Sequence, residues 1–117
     1  MNYVRNYQKI VNNFIKKSFP ILKDEKISIK EKEVVYRAHA NYFPWGMIII
    51  FSRKLRKFPE KSIKRIIFHE LCHLEIFKRW GPIKTSLTYL VYRLSKTVRK
   101  KVEAEANALM IKKRFKK

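Results

Sequence analysis

His69-Glu70-Leu71-Cys72-His73 places two imidazoles four residues apart, with a carboxylate directly after the first. On an α-helix that spacing stacks both rings on one face, one turn above the other. Both ring nitrogens then reach a single metal ion at about 2.0–2.1 Å. Glu70 lies about 100° further round the helix, beside the ion rather than on it, where it can take a proton from water. The chemistry implied is metal-assisted hydrolysis.

A catalytic zinc site needs a third protein ligand and one open position. The chain has three histidines, His39, His69 and His73, and one aspartate, Asp24. Glu75 lies two residues past His73, about 200° round the helix, and cannot return to the same ion. Glu103, Glu105 and His39 remain. Glu103 and Glu105 are also about 200° apart on a helix, so one of them faces the site. Asn107, four residues after Glu103 on the same face, selects Glu103. Its side-chain oxygen is placed to accept a hydrogen bond from the non-ligating nitrogen of a ligand histidine and so to orient the ring. Ala104 and Ala106 are small enough to let the two helices approach closely. The metzincin extension is excluded, because Ile76 and Arg79 stand where it needs glycine and histidine.

The elements that must position these groups are legible from periodicity. Val4, Tyr7, Val11, Phe14 and Ile15 form one face of a helix that Pro20 stops. Ile27 and Ile29 alternate with polar neighbours, and Val34 to Ala40 is rich in β-formers, which predicts two short strands turned at Glu31-Lys32-Glu33. Asn41 to Gly46 reads as a loop, and Met47 to Phe51 as a third, buried strand whose edge lines the cleft. Pro59 opens a helix with Ile63, Ile67, Leu71 and Leu74 on one face, and Gly81-Pro82 ends it. From Lys84 onward the pattern is helical. One stripe is Leu87, Leu90, Val91 and Leu94; a second is Val98, Val102, Ala106 and Leu109, with a break near Ser95 to Thr97. The expected fold class is α+β. A small, mostly antiparallel three-stranded sheet packs with an N-terminal backing helix, an active-site helix and a C-terminal glutamate helix.

At 117 residues the chain is one domain, 1–117, with one core. A composition 46% hydrophobic and 14% aromatic excludes disorder. The longest apolar run, Met47 to Phe51, is far shorter than the roughly 20 residues of a membrane span. A soluble cytoplasmic protein with no membrane partner is expected. A net charge of +20, from 29 Lys and Arg against 9 Asp and Glu, attracts polyanions non-specifically. No nucleic-acid-binding signature accompanies the charge. Cys72, the single cysteine, reads as a small helix residue near the core.

Glu103-Ala-Glu-Ala-Asn107, placed after His69-Glu-Leu-Cys-His73, resembles the glutamate helix of the gluzincin metallopeptidases. The small size and the strands before the motif helix are similar to the minigluzincins, a group of small soluble archaeal peptidases. The resemblance implies one catalytic zinc ion, hydrolysis of peptides or unfolded segments, His69, His73 and Glu103 as ligands, and Glu70 as base. It implies latency in some members, through a C-terminal segment in the cleft or through self-association, the zymogen form. It also implies a Tyr or His that holds the oxyanion; Tyr89 and Tyr92 are the candidates here. Two rival readings stand beside it: a catalytically silent zinc-binding regulatory module, and a basic nucleic-acid-binding protein.

Overall fold

Three punctuation marks in the sequence become element boundaries in the computed structural model, which describes residues 3–113. Helix α1 (Tyr3–Ser18) ends just before Pro20, which opens a short 3-10 turn. Helix α2 (Glu60–Trp80) ends at Gly81, whose φ of 88° is left-handed and whose N–H closes back on Phe77 O. Pro82 then opens helix α3 (Pro82–Leu94), where its fixed φ and missing N–H cost nothing. Ser95 breaks away in extended geometry, and its hydroxyl accepts from Val98 N–H to cap helix α4 (Lys96–Lys112). The break expected near Ser95 therefore exists, made by a cap instead of by Gly or Pro.

The sheet is mixed. Strands β1 (Ile27–Lys32), β2 (Ala38–Phe43) and β3 (Gly46–Ser52) lie in the order β1-β3-β2. β1 pairs parallel to β3, Ile27 opposite Met47, and β2 pairs antiparallel to β3, Ala38 opposite Phe51. The expectation of a mostly antiparallel sheet with a turn at Glu31 to Glu33 is corrected here. The tight turn is Pro44-Trp45, so β2 and β3 form the hairpin and β1 is left with the far side of β3. Gly46, at φ 143°, makes that arrangement possible: a Cβ there would stand 3.1 Å from Lys26 O, where β1 enters. β3 is therefore central, with both edges paired, and β2 is the edge strand that faces the helices.

Helix α2 runs through the middle of the molecule. Ile63, Ile67, Leu71 and Leu74 are buried as their spacing predicts, and every residue from Ile67 to Ile76 except His69 is buried as well. Tyr7 and Val11 of α1, Ile49 and Phe51 of β3, and Ala106 of α4 close around it. Burying each such leucine or isoleucine contributes about 1.5–3 kcal/mol. The result is a rigid helix whose three buried polar residues, Glu70, His73 and Glu75, must each find partners in the surrounding elements.

Candidate metal centre

α2 presents His69 and His73 one turn apart, their rings 4.8 Å between centroids and edge-on. α4 crosses α2 at Ala106, which is fully buried, so the backbones come close; Ala104 is exposed and takes no part. That crossing brings Glu103 between the two imidazoles. His69 Nε2 lies 3.0 Å from Glu103 Oε2, and His73 Nε2 lies 3.2 Å from Glu103 Oε1. The carboxylate is held far below its usual range, first by the hydrogen bond with His69 and then by that with His73. The His69 imidazole is pushed up, chiefly by the same hydrogen bond and against its burial.

The donor set fits a metal ion. One ligand atom each from His69, Glu70 and His73 lies within 4.8 Å of the others. Two ligands of a tetrahedral ion at about 2.0–2.1 Å stand about 3.3–3.4 Å apart. The Nε2-to-carboxylate separations of 3.0 and 3.2 Å, each to a different oxygen of Glu103, are close to that edge.

Glu70 is buried, and the backbone N–H of Ala40 faces its carboxylate and favours the ionised form. Burial raises its pKa, opposed by the nearby histidines and by that N–H, which shifts it toward the range useful in a general base. The Ala40 contact follows from the sheet register. Ser52 N–H bonds Arg37 O, so Arg37, His39 and Asn41 turn their main-chain groups toward β3. Ala38, Ala40 and Tyr42 turn theirs outward. Ala40 N–H reaches Glu70, and Tyr42 N–H is taken by Asn41 Oδ1 at 2.8 Å. The cleft rim is thus β2, in place of the expected Met47 to Phe51 strand.

Depressions flank the centre on both sides of β2. On the His73 side a cavity of about 70 Å³ is bounded by Asn41, Phe77, Thr85, Tyr89 and Tyr92. His39 also lines it, its ring 5.2 Å from Tyr89 and 5.6 Å from Tyr36, with Nε2 buried and unpartnered among the described residues. Its pKa is lowered, first by burial and then by His73, which favours the neutral ring. On the His69 side lie Arg37, Arg65, Ile66, Asn107 and Met110.

Not every predicted site residue arrives where the sequence placed it. Asn107 is exposed and makes no hydrogen bond to either histidine, and His73 Nδ1 is buried without a partner among the described residues. Tyr89 and Tyr92 stack 6.1 Å apart at the cavity wall, and neither hydroxyl hydrogen-bonds Glu70 or Glu103. Burial, then Glu103, raises the Tyr92 phenol. Glu105 is exposed, as the choice of Glu103 requires. His39, weighed in the sequence only as a third ligand, instead lines the cavity, carried in by the alternation of an edge strand, and the Ala40 N–H, which no side-chain pattern marks, escaped sequence reasoning. Arg114 to Lys117, the end of the C-terminal segment through which the resemblance implies latency in some members, lie outside the described residues. No protein family, no curated protein and no solved structure matches this chain.

Proposed function

We propose that the protein is a zinc-dependent endopeptidase of gluzincin type, acting on peptides or unfolded segments. The observation that carries this reading is the single Glu103 carboxylate spanning His69 and His73 from a separate helix, with Glu70 buried alongside. His69, His73 and Glu103 would hold the ion. Zinc bound there supplies Lewis-acid polarisation of the scissile carbonyl and acidification of water.

The remaining steps belong to the chain. Glu70, facing Ala40 N–H, takes the proton as water attacks the carbonyl carbon. It returns that proton to the departing amine nitrogen as the C–N bond breaks. An extended peptide lies along the outer edge of β2, donating its N–H groups to outward carbonyls there. The cavity walled by Thr85 and Tyr89 admits one small side chain next to the cleaved bond.

Zinc content and peptide cleavage test this together. The protein should bind one zinc ion, and Glu103→Ala should weaken binding by about 100-fold or more, the upper end of what lost supporting contacts cost. Glu70→Gln should keep the zinc and lose about 10²-fold or more in cleavage of an unstructured peptide. Equal turnover by wild type and Glu70→Gln removes Glu70 as base. Zinc bound without any turnover favours the silent regulatory module, and no zinc bound removes the site altogether.

A further inference from the structure

Helix α3 has two unlike faces. Thr85, Thr88, Tyr89 and Tyr92 point inward and wall the cavity beside the metal centre. Ile83, Leu87, Leu90, Val91 and Leu94 share the opposite side, at helical spacings of four, three, one and three residues. All five are exposed, from 48% at Val91 to 89% at Leu94. They make up half of the large exposed apolar side chains among the described residues. Single exposed leucines are ordinary, whereas a contiguous stripe on one helix marks a contact surface.

Charge says what covers it. No acidic residue falls between Glu75 and Glu103, and that stretch carries eight Lys and Arg. Exposed Lys84 and Lys96 stand at the two ends of the stripe. A second copy of a chain with net charge +20 would meet like-charge repulsion. Anionic headgroups meet the reverse. Leucines reach the boundary between headgroups and acyl chains, while lysine stems extend and keep their ammonium groups among the phosphates.

We infer that α3 seats the protein on an anionic lipid surface, with its Ile83–Leu94 stripe in the interface and Lys84 and Lys96 on the headgroups. Among the described residues no helix is long and apolar enough to cross a membrane, and this docking requires none. The expectation of no membrane partner rested on the lack of a spanning segment, which leaves peripheral contact open. The inference is independent of the peptidase reading. It sets the cleft about one helix diameter, ~10 Å, from the lipid.

Co-sedimentation of the full chain with phosphatidylglycerol–phosphatidylcholine vesicles tests it, against vesicles of phosphatidylcholine alone. The chain should partition onto the mixed vesicles and far less onto the zwitterionic ones. Leu87→Gln with Leu90→Gln keeps the charge and should weaken binding by about tenfold or more, with far-ultraviolet circular dichroism unchanged. Lys84→Gln with Lys96→Gln should weaken binding and flatten its dependence on phosphatidylglycerol content. Binding to mixed vesicles that the leucine pair does not alter overturns the inference, since the attraction is then diffuse charge alone. So does a wild-type dimer that the leucine pair makes monomeric, or no vesicle binding at all.

Discussion

One carboxylate, Glu103, serves two imidazoles, and this makes the metal-free protein sensitive to pH on both sides. The depressed folded pKa of Glu103 means its stabilisation is present above an unfolded value of about 4.3 and is lost as pH falls through the folded one. The raised pKa of His69 works oppositely: its stabilisation is complete below about 6.5 and is lost as pH rises through the folded value. Thermal melts of the metal-free chain should peak between about pH 4.5 and 6.5 and fall on the alkaline side. Glu103→Gln should flatten that profile. Zinc requires unprotonated imidazoles, so adding it should raise the melting temperature most on the alkaline side. The convergence of His69, His73 and Glu103 was legible because residue types and helical spacing limit which groups can meet. The support was not. Asn107 shares a helical face with Glu103 yet stays in solvent, because sequence spacing places it on a face without saying how far that face lies from His73.

Helices were easier to read than strands for a physical reason. A helix carries its own hydrogen bonds, so its stops, such as Gly81-Pro82, act locally. A strand's neighbours are set by distant contacts, which is why Val34 to Arg37 proved to be loop and why β1 crossed to the far side of β3. Gly81 offers a direct test of a local signal. Its backbone, φ 88° and ψ 162°, lies in a region kept almost entirely to glycine, and a Cβ there would meet nothing within 4 Å. Gly81→Ala should therefore destabilise by about 1–3 kcal/mol through backbone strain alone, read as a lower urea midpoint with unchanged slope. α3 hangs from this joint, so the Thr85–Tyr89 wall of the cavity depends on it.

Across the molecule, the face of α2 opposite the candidate metal centre carries a second charged lock. Buried Glu75 pairs with Arg79 and with Lys113, each at 2.9 Å. The Lys113 ammonium also donates to Ser18 O at 2.6 Å and sits 4.6 Å over the Phe19 ring. The end of α4 is thus tied to both α2 and α1, which helps hold Glu103 in register. Cys72 lies near this lock, its thiol pushed up to about 12 chiefly by burial, so it is inert at neutral pH. Glu75→Leu alone leaves the partly buried Lys113 ammonium without its carboxylate and should cost about 1–3 kcal/mol, whereas Glu75→Leu with Lys113→Met should recover most of that. Urea unfolding of the single and double variants measures the difference. Glu75 was legible only as a carboxylate excluded from the ion; one of its two partners, Lys113, is 38 residues away and unmarked by pattern.

The outward edge of β2 has one further consequence. Two of its three outward N–H groups are already engaged, by Glu70 and by Asn41. The opposite margin of the sheet, β1, displays Lys30 and Lys32. β2 can still take a single peptide's N–H groups on its outward carbonyls, but with two of its own N–H groups occupied it cannot complete the two-way ladder that fibrillar growth by sheet extension needs, and the lysines of β1 oppose that growth on the other margin.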